Sequence, residues 1–180
     1  MRALLSEKIN DKFSLRLQST EIPIINDDEV LIKVIACGIN YPDTLIIKDE
    51  YQIKPTRPFA PGGEVSGIIL QKGKKVVDWH DGDRVIAITT FGGLAEYVSC
   101  KADKLVKLPD GIPMATGAGF LFTYGTAYHA LHDRGRLTSN ESVLVLGAAG
   151  GVGLAAVELA KAHGASVIGA VSGEQKKSCG

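Results

Sequence analysis

The run Gly147-Ala148-Ala149-Gly150-Gly151-Val152-Gly153 constrains this chain more than any other feature. It stands between an apolar segment, Ser142–Leu146, that reads as a strand, and residues 151–163, which read as a helix stopped by Gly164. A second apolar strand over 166–171 completes one β-α-β unit. Strands that are apolar on both faces belong in a parallel sheet covered by helices, the architecture of dinucleotide-binding domains.

In that position the glycines have distinct uses. Gly150 and Gly151 let the backbone approach a pyrophosphate, Gly153 permits close strand–helix packing, and the helix start offers unpaired N–H groups and a favourable dipole. Ala148 and Ala149 depart from the G-x-G-x-x-G spacing, and a tight turn that merely packs a helix on a sheet is the alternative reading. About 20 residues further on, NAD-type sites carry an acidic side chain for the ribose 2′-hydroxyl. Here the chain reads Val171-Ser172-Gly173. Ser172 can donate to a 2′-phosphate and Lys176 or Lys177 can add charge, so NADP(H) is expected rather than NAD(H). The cofactor-binding candidates are therefore Gly147, Ala148, Ala149, Gly150, Gly151, Val152, Gly153, Ser172 and Lys176.

Residues 1–108 have a different texture, with short β-type runs broken by Gly, Pro, Asn and Asp. The clearest strand spans 30–36, where Val30, Ile32, Val34 and Ala36 share one face and Leu31, Lys33 and Ile35 the other. Further strands are expected at 64–70, 85–88, 94–99 and 105–108. From Gly111-Ile112-Pro113-Met114 to His132 an Ala-rich, aromatic-bearing stretch reads as a helix opened by proline. A domain boundary near residue 115 follows, giving domains 1–115 and 116–180.

Composition narrows the function. Lys+Arg and Asp+Glu both number 20, so no net field favours nucleic acid or an anionic membrane, and Lys72-Gly73-Lys74-Lys75 reads as a solvated turn. The first residues turn polar too early for a secretory signal, and no segment approaches the roughly 18 apolar residues of a membrane span. A cytoplasmic protein acting on a small molecule is expected. Cys37, Cys100 and Cys179 form no C-x-x-C pair and read as reduced thiols.

Several segments together resemble the medium-chain dehydrogenase/reductase superfamily, most closely its zinc-independent NADPH:quinone oxidoreductases of the zeta-crystallin-like branch. The carriers are Ala36-Cys37-Gly38-Ile39-Asn40-Tyr41-Pro42-Asp43, Pro61-Gly62-Gly63-Glu64-Val65-Ser66-Gly67, Gly82-Asp83-Arg84-Val85, Thr126-Ala127-Tyr128-His129-Ala130-Leu131 and the glycine loop. The resemblance implies an α/β fold: an N-terminal GroES-like β-rich catalytic domain, then the first part of a Rossmann domain, a doubly wound parallel sheet. Family members continue well beyond this length, so it also implies a truncated chain, and a homodimer for a full-length form.

Zinc-dependent relatives place a ligand Cys where this chain has Asn40 and a ligand His where it has Gly63, so no metal site is expected. Without zinc, hydrogen-bond donors must stabilise the negative charge that builds on a carbonyl oxygen during hydride transfer. Asn40 is the first candidate; Tyr51 matches a family tyrosine that lines the substrate cleft, and Thr126 a threonine beside the nicotinamide. Each has a plainer alternative: a turn for Asn40, a loop aromatic for Tyr51, helix packing for Thr126. Asp43 and Glu64 are expected to support the architecture. The resemblance thus implies NADPH-dependent hydride transfer to a quinone or another conjugated carbonyl, such as a 2-alkenal or enoyl thioester. A non-catalytic nucleotide-binding or structural module is the alternative.

Overall fold

The computed structural model describes residues 1–10 and 12–173 and divides into two compact units, the first Met1–Gly119 and the second beginning at Phe120. In the first, β1 (Arg2–Ile9) and β2 (Lys12–Ser19) form an antiparallel hairpin. A five-stranded antiparallel sheet follows, ordered β6-β3-β4-β5-β7, from β3 (Glu29–Gly38), β4 (Glu64–Lys72), β5 (Arg84–Ile88), β6 (Tyr97–Lys101) and β7 (Leu105–Lys107). Along β3, Lys33 and Ile35 face solvent while Leu31, expected on their face, is buried; Val30 and Ile32 are fully buried. They join Val65, Ile69, Val85, Ala87, Val98 and Cys100 in one apolar core.

The β3–β4 ladder shifts register between Val34 and Ala36, which bends β3 and redirects the chain that leads to Asn40. Gly67 makes this possible, since a Cβ there would sit 2.2 Å from the Lys33 carbonyl oxygen. Helix α1 (Tyr41–Ile47) opens immediately after the strand, with Pro42 in its first turn.

The expected helix over 111–132 is not continuous. It starts after Pro113 as α2 (Met114–Gly117) and stops, because Gly117 abuts the Leu108 side chain and the Ala118 carbonyl closes on Gly38. Flanking Ala118 with glycines also lowers helix propensity. The Ser66 hydroxyl donates to the Met114 carbonyl at 2.5 Å, tying α2 to the sheet.

The second unit begins with a helical path over 121–134, in which α3 (Thr126–Tyr128) is flanked by wide π-helical turns, Leu121–Gly125 and His129–Arg134. Then come β8 (Ser142–Leu146), α4 (Gly151–Ala162) and β9 (Ser166–Ala170), the two strands parallel and in register from Ser142 opposite Ser166 to Leu146 opposite Ala170. Val145, Ala148 and Val157 form the core between sheet and α4. Among the described residues no helix is long and apolar enough to cross a membrane.

Candidate functional site

In the first unit the site grows from the chain reversal after β3. Asn40 caps α1 and donates its backbone N–H to Asp43 Oδ2 at 2.7 Å. The other oxygen of the same carboxylate accepts the backbone N–H groups of Gly62 and Gly63, at 3.1 and 3.0 Å. Asp43 is buried, so its three backbone bonds fasten α1 to the start of β4. Gly62 has φ +95°, and a Cβ on it would meet Cys37 Sγ at 2.6 Å, so only glycine fits.

Glu64 is fully buried at the start of β4, opposite Gly38 in the ladder. Its Oε2 accepts a hydrogen bond from the Asn40 side-chain amide at 3.1 Å. An amide NH₂ carries two donors, so this bond fixes the orientation of Asn40 and leaves the second N–H for another acceptor. The sequence pattern assigns Glu64 to architecture and does not show that it holds Asn40. Only the β3–β4 register brings the two together across 24 residues.

Tyr51 lies half-buried in the loop after α1. Position 63, a ligand His in zinc enzymes, here has no side chain; its backbone N–H donates to Asp43 and its carbonyl accepts the Thr89 N–H. Among the described residues no group of three or more His, Cys, Asp or Glu side chains is placed to hold a metal.

In the second unit the glycine loop turns between β8 and α4. Gly147 has φ +71°, and its N–H and that of Ala148 both donate to the Ala170 carbonyl, at 2.9 and 3.1 Å, pinning the loop to the end of β9. Gly150 folds back onto the Gly147 carbonyl at 2.9 Å. A Cβ on Gly153 would stand 2.2 Å from that carbonyl oxygen, so glycine is required for α4 to lie this close to β8. The first helical bond runs from Leu154 N–H to the Gly150 carbonyl at 2.8 Å. The N–H groups of Gly151, Val152 and Gly153 therefore lie outside the i→i−4 pattern at the positive end of the helix. Beside them, Gly147, Ala149, Gly150, Ala170, Val171 and Ser172 line a cleft of about 350 Å³. A glycine cradle, a helix start and a hydroxyl at the tip of β9 fit a nucleotide pyrophosphate and ribose. Lys176, the other candidate contact, lies outside the described residues.

Thr126, the first residue of α3, is exposed. The turn before it is secured to α4: Thr123 Cγ2 would lie 3.1 Å from a Cβ on Gly151, and the Tyr124 hydroxyl donates to Glu158. That bond raises the Tyr124 pKa, and the ring stacks on Phe120 at 4.9 Å. Asn40 and Tyr51 belong to the first unit; Thr126 and the glycine loop belong to the second.

Comparison with known proteins agrees with this anatomy. Residues 26–110 match the alcohol dehydrogenase GroES-like domain. The chain is 41% identical to the quinone oxidoreductase of Mus musculus over 179 residues, covering 98% of this chain and 54% of that protein. It is similar to the quinone oxidoreductase of Thermus thermophilus, solved also in complex with NADPH, at TM-score 0.86 and 34% identity, covering 99% of this chain and 56% of that one. A quinone oxidoreductase of Pseudomonas syringae pv. Tomato superposes with TM-score 0.90 at 28% identity, over 99% of this chain and 55% of its own. The chain thus spans about half the length of these relatives.

Proposed function

Because the chain belongs to the medium-chain dehydrogenase/reductase superfamily, in its zinc-independent quinone oxidoreductase family, we propose that the protein is an NADPH-dependent reductase of quinones or other conjugated carbonyl compounds. The cofactor, when bound, supplies a hydride. The protein's own residues hold, orient and stabilise. The N–H groups of Gly151, Val152 and Gly153 hold a pyrophosphate at the start of α4, and Ser172 faces a ribose 2′-phosphate with no carboxylate at that position to repel it. NADP(H) is therefore the cofactor of this reading.

The observation that carries the proposal is the Asn40–Glu64 pair. Reduction of an enone or quinone builds negative charge on a carbonyl oxygen, and a donor already oriented for it needs no reorganisation when the charge forms. Buried Glu64 orients Asn40, and the second amide N–H provides that donor without a metal. Tyr51 offers a ring for stacking on a planar acceptor and a hydroxyl for hydrogen bonding, and Thr126 a hydroxyl for the nicotinamide amide. We read the enzyme as cytoplasmic and homodimeric, acting on small molecules without nucleic-acid or membrane partners.

The test is NADPH consumption by the complete protein with ortho- and para-quinones, 2-alkenals and enoyl thioesters. Turnover with at least one class is expected, NADPH being preferred over NADH. Asn40→Ala is expected to lower kcat by about 10²-fold, the usual loss of one oxyanion donor, with the NADPH Kd unchanged. NADPH binding without turnover of any acceptor would replace the enzyme by a binding module.

A further inference from the structure

The loop that carries Tyr51 has little backbone structure of its own. Among the described residues, 51–58 make no backbone–backbone hydrogen bond; the last such bond after α1 runs from Glu50 N–H to the Leu45 carbonyl at 2.9 Å, and pairing resumes only at Phe59 with Ser6. One side chain closes the segment. Arg57 Nη1 donates to Asp49 Oδ1 and Nη2 to the Ile47 carbonyl, each at 2.7 Å. Ile47 is the last residue of α1, so the second bond caps a carbonyl that the helix leaves open. The guanidinium lies within cation–π range of two rings, 4.9 Å from the centroid of Phe13 and 5.3 Å from that of Phe59. Its side chain is only 16% exposed, and its Nε is buried without a partner.

Burying a guanidinium with one donor unsatisfied is unfavourable unless the other contacts compensate. Those contacts join the end of α1 and Asp49, at φ +58°, to position 57, the two ends of the stretch that presents Tyr51. Lysine cannot reproduce the arrangement, because a point charge lacks the planar fork that reaches a carboxylate and a carbonyl at once.

We propose that Arg57 is a positioning residue for acceptor binding: it clamps the 49–57 loop shut and thereby fixes Tyr51 against the acceptor substrate. This rests on the reductase reading above. Asp49 completes the clamp. The ordering entropy of the loop is met before the acceptor arrives, so loosening the clamp weakens acceptor binding and leaves cofactor binding alone.

The test is steady-state kinetics on the complete protein with Arg57→Gln, Arg57→Lys, Asp49→Asn, Tyr51→Ala and the double variant R57Q/Y51A. Arg57→Gln and Asp49→Asn are expected to raise the acceptor KM about tenfold, with kcat and the NADPH KM within about twofold of wild type. Arg57→Lys is expected to fail to rescue. In the Tyr51→Ala background, Arg57→Gln should add nothing to the acceptor KM, because both changes remove the same interaction. Multiplicative effects of Arg57→Gln and Tyr51→Ala, or an unchanged acceptor KM in a folded Asp49→Asn protein, overturn the proposal. So does a parallel loss of kcat, NADPH affinity and thermal stability in both clamp variants. A wild-type protein that reduces no acceptor sinks the reductase reading instead, which keeps the two failures apart.

Discussion

Cys37 in β3 and Cys100 in β6 hold their protons tightly. Burial, with the charges of Asp43 and Glu64 behind it, pushes the Cys37 thiol up from 9.0 to about 12; burial, with Asp103 and Glu29, pushes Cys100 up to about 11. Well below pH 9 both thiols are protonated in folded and unfolded chain alike, and they contribute no pH dependence. Between pH 9 and 11–12 the unfolded chain loses these protons while the folded chain keeps them, so stability falls as pH rises through that window. Urea midpoints measured at about pH 8 and about pH 10 are expected to fall more for wild type than for Cys37→Ala or Cys100→Ala, and equal falls in all three would refute it. The same protonation makes both thiols poor nucleophiles, which separates Cys37 from the role proposed for its neighbour Asn40. The sequence singles out Asn40 as a candidate through its position in a family-like motif. The hold of Glu64 on it is not legible there, because that contact depends on a strand register across 24 residues.

Local pattern is a sufficient guide where periodicity decides structure. Strand Ser142–Leu146, helix Gly151–Ala162 and strand Ser166–Ala170 follow the apolar runs closely, since a β-α-β unit is built from contacts near in sequence. The helix from Pro113 was legible at its start but not at its end, because the stop comes from Leu108 and Gly38, which approach from other elements. The loop itself was legible in outline, and the structure adds which glycine is least replaceable. A Cβ at Gly153 collides with backbone, the Gly147 carbonyl and Ala148 Cα, rather than with a movable side chain. Gly153→Ala must therefore push α4 away from β8, an overpacking cost of about 1–3 kcal/mol. On the proposed cofactor reading, that displacement also carries the three N–H groups at the helix start away from the pyrophosphate they would hold. A lower Tm and an NADPH Kd raised about tenfold or more are expected from calorimetry and fluorescence titration. Gly151→Ala, whose Cβ meets only Thr123 Cγ2 at 3.1 Å, should lower the Tm much less. Equal losses of Tm at the two positions would contradict the packing account.

The two units differ in how far each satisfies its own surfaces. The first buries Val30, Ile32, Val65, Ile69 and Val85 almost completely, within a sheet of five strands. Among its described residues the second has a parallel pair of strands with α4 packed on the Val145 face. On the opposite face Leu144, Leu146 and Ile168 are 61%, 76% and 62% exposed. Parallel sheets are covered on both faces in stable folds, and adjoining bare aliphatic side chains on a sheet favour association. The polypeptide Met1–Gly180 is accordingly expected to bind a hydrophobic dye such as anilinonaphthalene sulfonate and to self-associate at micromolar concentration. Replacing all three residues by Thr, which keeps β-propensity, should suppress both effects and leave the first unit's unfolding transition unchanged. Sedimentation velocity and dye fluorescence on the wild-type and triple-variant polypeptides decide the matter. A wild-type chain that stays monomeric and dark with dye would mean that the outer face of this sheet is covered.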